Sequence, residues 1–280
     1  MAYESNIVRS AVARLRARSE QHAREVYALR TRLYQQEPRL PQLDAALRGT
    51  MAEVAELALS GDADLTTKLE DIKARNLALQ AEREQGVKAL ALTPHFYPAK
   101  DTPAAFLKRR REAMKRMPDC PDMQIIYGAE VRYSNGMSRW NDLKDLALGE
   151  TKYILVEMPQ PPWAAHMYRE LENISKEQGL TPIIAHIDRY VRPFQTFGML
   201  KKLSDLPVLV QANSRFFLKF WTRGMALRML KAGQIHFLGS DCHSMEHRPP
   251  NLKAAHQVIE QHLGKEALDY LAEMSNLLLK

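Results

Sequence analysis

Six short apolar runs in the second part of the chain each lead into a residue able to bind a metal ion or a polar ligand. LTPH ends on His95, YGAE on Glu130, LVEM carries Glu157, IIAH ends on His186, VQAN on Asn213, and GSDCH brings Asp241 and His243. Imidazole nitrogens and carboxylate oxygens gathered in one place suit Mn, Fe or Zn rather than Ca. Carboxylates can bridge two ions, and paired ions activate water and stabilise displacement at phosphorus. Arginines accompany the same residues: Arg132 follows Glu130 by two positions, Arg189 follows His186 by three, and Arg248 follows His243 by five. A guanidinium fork grips phosphate bidentately, so Arg189 and Arg248 are candidate phosphate-binding groups; the plainer alternative is that they neutralise the nearby carboxylates. The expected metal ligands are His95, Glu130, Glu157, His186, Asp241 and His243.

These residues can meet only if the runs that carry them are strands pointing one way. VKALAL (87–92), MQIIYG (123–128), KYILVEM (152–158), TPIIAH (181–186), PVLVQA (207–212) and QIHFLG (234–239) have the length and composition of buried strands. FLKRRREAMKRM, AAHMYRELENISKEQ, FGMLKKLS and RGMALRMLKAG connect them with helical patterns. Repeated strand–helix units argue for an α/β parallel sheet or barrel, whose ligand site gathers at the carboxyl ends of the strands. The densest basic run, KRRREAMKR (108–116), is expected to be a solvated helix face rather than a phosphate patch.

The first 84 residues have a different character. They hold 13 Lys/Arg and 13 Asp/Glu, so the whole net charge of +7 lies beyond them. Val8, Val12, Leu15, Val26, Leu29 and Leu33 follow a helical stripe, Pro38 and Pro41 break it, and further helical runs follow from Leu43 to Leu59 and from Leu65 to about Gln85. A boundary is therefore expected near residue 85, separating a helical segment (1–84) from an α/β domain (85–280). No apolar run reaches the ~18 residues of a membrane helix, and the N-terminus lacks the apolar core of a secretory signal. Two cysteines cannot form a disulfide framework. A cytoplasmic protein is expected.

The combination TPHF, YGAEVRY, VEM, IIAHIDRY, VQANS and GSDCHSMEHRPP resembles the polymerase-and-histidinol-phosphatase (PHP) family, and within it the bacterial manganese-dependent protein-tyrosine phosphatases that act on exopolysaccharide tyrosine kinases. The resemblance covers about 85–280. It implies a distorted (βα)7 barrel around up to three Mn²⁺ ions, with Fe or Zn as alternatives. By the same resemblance Glu130 bridges two metals, one of which also takes Glu157 and His186. Asp241 binds the other bridged metal, and His95 and His243 share the third. Arg189 and Arg248 hold the substrate phosphate while a metal-activated hydroxide attacks phosphorus in line.

One part of that pattern is missing. The family begins with a strand carrying Asp-x-His-x-His, whereas residues 1–84 hold a single histidine, His22. The expected fold is thus an incomplete PHP-type barrel of six strands, with two unpaired edges, fewer metal sites than the family's three, and impaired activity. In place of the strand, VYALRTRLYQQEPRLPQLDAALRGT and KARNLALQAERE resemble the N-terminal helical region of bacterial replicative helicase-loader ATPases. That likeness implies a helicase-type partner for 1–84, but no G-x-x-x-x-G-K-[ST] is present, so ATP hydrolysis is not expected. The junction reads as a fusion of two incomplete genes, and assembly with a second copy would be one way to complete the site.

Three rival functions stand beside the phosphotyrosine reading. One is a non-enzymatic interaction protein acting through the N-terminal helices. Another is a small phosphomonoester such as histidinol phosphate as substrate. A cysteine-dependent phosphatase is suggested by the Cys242-x5-Arg248 spacing, but the intervening residues lack glycine and Asp241 would raise the thiol's pKa.

Overall fold

The computed structural model describes residues 76–115, 117, 123–191, 196–243 and 248–279, together with the helical positions Gln21, Arg24, Glu25, Ala28 and Leu29. The chain packs as two units, Met1–Asp62 and Ala63–Lys280. In the first, Gln21 Nε2 donates to Glu25 Oε1 one turn on, at 3.0 Å, as the expected helix requires. His22, the Pro38/Pro41 break and the Leu43–Leu59 helix lie outside the described residues. In the second unit, residues 76–84 are helical, the end of the run expected from Leu65. Gly86 stops that helix at φ 83°, a left-handed conformation glycine takes without steric cost.

All six expected strands are present, carried as eight segments. The first run is β1 (Ala89–Leu92) and β2 (His95–Phe96); the second is β3 (Gln124–Tyr127) and β4 (Glu130–Arg132). Ala89 pairs with Gln124 and His95 with Glu130, an offset of 35 on both sides of the break, so each pair of segments belongs to one parallel ladder. Pro94 has no N–H to give that ladder. Its carbonyl still accepts from Glu130 N at 3.1 Å, and Leu92 O accepts from Gly128 N at 2.9 Å. The remaining runs form β5 (Tyr153–Glu157), β6 (Thr181–Ile184), β7 (Leu209–Asn213) and β8 (Phe237–Gly239). The main sheet has the order β2-β4-β5-β6-β7-β8, every pair parallel, each strand beside its predecessor in the chain. It is an open, six-strand version of a barrel sheet.

Helices cover this sheet: α1 (Pro103–Met114), α2 (Ala165–Gln178), α3 (Thr196–Ser204), α4 (Arg215–Leu218), α5 (Phe220–Lys231), α6 (Leu252–Leu263) and α7 (Lys265–Asn276). Thr102 starts α1, its hydroxyl accepting from Ala105 N at 3.3 Å, with Pro103 in the first turn. Phe106 and Leu107 are the residues of α1 that the core buries. Its basic run is not uniformly solvated: half-buried Arg110 donates to Gly128 O at 2.9 Å and Asp145 O at 3.0 Å. That guanidinium ties α1 to the break between β3 and β4. Among the crossovers, β4 and β5 are joined by two short 3₁₀ turns, Met137–Arg139 and Leu143–Leu146, rather than a long helix. Ile154 and Val156 of β5, fully buried, lie at the centre of the core with Leu171 and Ile174 of α2.

Candidate metal centre

His95 begins β2, Glu130 begins β4 and Glu157 ends β5, so the broken first strands and the intact third deliver their ligands to one level of the sheet. His186 stands two residues beyond β6, Asn213 ends β7, and Asp241 stands two beyond β8. Both residues that overshoot their strands are left-handed, His186 at φ 34° and Asp241 at φ 50°. Non-glycine residues held there cost about 1–3 kcal/mol each, and such strain concentrates at functional sites. For His186 the conformation is fixed by Gln211, whose Oε1 accepts from the His186 backbone N–H.

The side chains converge. Glu130 Oε1 lies 2.8 Å from His186 Nε2 and 3.5 Å from His95 Nδ1. Glu157 Oε1 lies 3.8 Å from the same His186 nitrogen and 3.6 Å from Arg189 Nη1. One donor atom each from His95, Glu130 and Glu157 lies within 4.8 Å of the others. The second cluster is built on Asp241, whose Oδ2 accepts from Arg189 Nη2 at 2.8 Å, Arg248 Nη1 at 3.2 Å and Asn213 Nδ2 at 3.2 Å. His243 Nδ1 is 3.4 Å from Asp241 Oδ1, and its ring centre is 6.1 Å from that of His95. Arg189 links the clusters, since Nη1 lies 3.2 Å from His186 Nε2 while Nη2 holds Asp241. All eight expected residues therefore share one rim, with Arg189 and Arg248 seated on a carboxylate.

Burial alone would push the Glu130 carboxyl up. The hydrogen bond to His186 and the nearby charges of His186, His95 and Arg189 outweigh that and hold it below the usual carboxylate range. A low carboxyl pKa keeps Glu130 ionised and ready as a ligand. Nδ1 of His95 and Nδ1 of His186 are both buried and have no hydrogen-bond partner. Buried imidazole nitrogens seldom go unsatisfied, and the His95 nitrogen, 3.5 Å from Glu130 and grouped with Glu157, makes with those carboxylates a donor set that fits a divalent ion; His186 faces the same carboxylates through Nε2. Cys242 does not have the chemistry of a thiolate nucleophile: burial first, then Glu82 and Asp241, push its thiol up.

Three supporting residues lie outside the expected set. Asp188 accepts from Asn213 N at 3.0 Å and lies 3.3 Å from its Nδ2, fixing the side chain that in turn contacts Asp241. Gln211 holds His186 on one side and donates to Asn213 Oδ1 at 3.1 Å. Glu82, from the helical residues 76–84, accepts from Ser240 Oγ at 2.7 Å, next to Asp241. An acid two residues after a candidate histidine, in HID, was the available hint for Asp188. Glu82 had none, because its partner lies 158 residues away.

An open parallel βα sheet that lines its carboxyl rim with histidines, carboxylates and arginines defines a metal-dependent phosphoesterase architecture of the PHP type. Residues 68–277 match the family model for capsular polysaccharide synthesis, CpsB/CapC, and the chain belongs to that family. It is 29% identical over 210 residues to the tyrosine-protein phosphatase CpsB of Streptococcus agalactiae, covering 69% of this chain and 84% of the relative. The Streptococcus pneumoniae CpsB is 30% identical over 203 residues, covering 67% and 82%. YwqE of Bacillus subtilis, also a tyrosine-protein phosphatase, is 28% identical over 214 residues, covering 72% and 82%. Among solved structures, those of YwqE and CpsB, described as unique metal-dependent tyrosine phosphatases, match with a TM-score of 0.61 at 26% identity, over 72% of this chain and 85% of theirs.

Proposed function

We propose that the chain is a metal-dependent protein-tyrosine phosphatase, hydrolysing phosphotyrosine in the cytoplasm with Mn²⁺, or with Fe or Zn in its place. The observation that carries this reading is the grouping of His95, Glu130 and Glu157 donor atoms within 4.8 Å, beside Arg189, in a chain of the CpsB/CapC family. His186 belongs to the same ligand set, and Asp241 and His243 to the adjoining cluster. A divalent ion supplies two things in such a site: a water acidic enough to ionise near neutral pH, and positive charge against the phosphoryl oxygens. The protein's own groups do the rest. Arg189 and Arg248, partly exposed and already aimed at one anionic oxygen, Asp241 Oδ2, orient a phosphate monoester. Asn213 and Asp188 keep Asp241 in place, and Gln211 keeps His186 in place.

Two sheet edges without partners among the described residues support a slower enzyme than a closed barrel would make. The substrate class is a phosphotyrosine protein, with a bacterial exopolysaccharide tyrosine kinase as the particular candidate. Residues 1–84 are proposed as a helical segment for a helicase-type partner, and a homo-oligomer as a further state. The test is hydrolysis of a phosphotyrosine peptide by the purified full chain with added Mn²⁺ and, in parallel, after chelator treatment. Turnover that the chelator abolishes supports the reading. Absence of turnover in folded, metal-loaded protein overturns it and leaves the interaction-protein alternative.

A further inference from the structure

The sheet ends at β1/β2 on one side and β8 on the other, and neither strand has a second partner among the described residues. Both edges line one cavity of about 730 Å³, through Ala89–Leu92 and through Phe237–Gly239. β1 reads Ala-Leu-Ala-Leu, the uniformly apolar composition of a parallel strand covered on both faces. It is poorly covered: none of its four residues is buried and Ala91 is exposed, whereas four of five are buried in β5. A long apolar edge left open is a template for another strand. One oxygen of a carboxylate whose other oxygen holds Ser240 is left without a hydrogen-bond partner at this cavity. Glu82 lines it, is 2% exposed, and its Oε2 has no hydrogen-bond partner.

We propose that this cleft takes one extended strand, about five residues long, from a separate polypeptide, running parallel to β1 and β8 and pairing with both. Its apolar side chains alternate, one set lying on the face that Ala91 and Phe237 share with Ile126 and Ile183. The parallel sense brings its carboxyl end to the rim beside His95 and Asp241, which line the same cavity. In that one respect the docking deepens the phosphatase reading; pairing itself does not depend on turnover. Residues 1–75 carry helical rather than alternating patterns and do not supply this strand. A second copy holds its own corresponding strands within its own sheet.

The test uses the full chain in chelator, so that neither metal nor catalysis enters the readout. A fluorescent eight-residue peptide alternating valine or isoleucine with serine is titrated by anisotropy, against a control with proline at alternate positions, which cannot pair. Saturable binding of the first peptide alone is expected, with slowed amide exchange at Ala89, Ala91 and Phe237, whose N–H groups face the open edges. Ala91→Lys, a change at an exposed position, should weaken binding by about ten-fold or more while the thermal midpoint stays put. Equal binding of the proline control, no saturation by about 1 mM (an affinity of only about 4 kcal/mol), or protection confined to other segments would overturn the proposal. So would slow exchange of those amides before any peptide is added, because the cleft would then already be filled by this chain or a second copy.

Discussion

Glu130 is the residue on which the candidate centre turns, since it touches His95 and His186 and is held ionised by them. Glu130→Gln keeps the shape and removes the charge. Loss of a supporting partner outside a metal's own ligands already costs 10–100-fold in affinity or activity, so loss of this proposed ligand should cost at least about 100-fold. Metal titration and turnover on the same variant check it. A second prediction concerns pH. His236 Nδ1 accepts from Val210 N at 3.1 Å, which requires that nitrogen to be unprotonated, and burial holds the imidazole below its ordinary 6.5. The unfolded chain takes up this proton at higher pH than the folded one. The stabilisation is therefore complete above about pH 6.5 and is lost as pH falls through the folded value. Thermal midpoints compared between pH 7.5 and 5.5 should fall more steeply for the native chain than for His236→Gln. The candidate rim residues were legible as a set because each stands at or just beyond the end of an apolar run. Asp188, Gln211 and Glu82 were not, because what makes them matter is a neighbour in space.

Among the elements, all six strands and the four connecting helices could be placed from composition and period, since a doubly covered parallel strand is apolar throughout. The breaks in the first two strands could not. Thr93-Pro94 and Gly128-Ala129 interrupt adjacent ladders at matching positions, a pairing that neither sequence run announces alone. Gly128 has a packing reason for its identity. A Cβ there would lie 2.5 Å from Leu148 Cδ2 and 3.3 Å from Leu148 Cα. Leu148 is itself buried and has little room to retreat. Gly128→Ala should destabilise by about 1–3 kcal/mol through overpacking, read as a lower denaturant midpoint. It should also lower metal affinity, because Glu130 follows two residues later on the strand this glycine seats.

For the molecule as a whole, metal and fold should be linked. An ion that binds the folded site and not the unfolded chain adds stability of RT ln(1 + [L]/Kd), about 2.7 kcal/mol at a hundred-fold excess over Kd. Mn²⁺ should therefore raise the thermal midpoint of the native chain, chelator should reverse the shift, and Glu130→Gln should show little of it. Calorimetry with and without metal decides this apart from any turnover assay. The open sheet makes the measurement pointed, because a barrel missing closure has less of its own packing to hold the rim together. By itself the sequence determined the α/β class, the parallel order and the donor types at the rim, since those follow from local composition and from the rule that βα units point their strand ends one way. Tertiary structure alone decided that Arg189 and Arg248 meet on Asp241, that Glu82 reaches Ser240, and that β1 and β8 line one cavity. Those relations depend on how the sheet curls and where its edges stop, which no local spacing in the chain encodes.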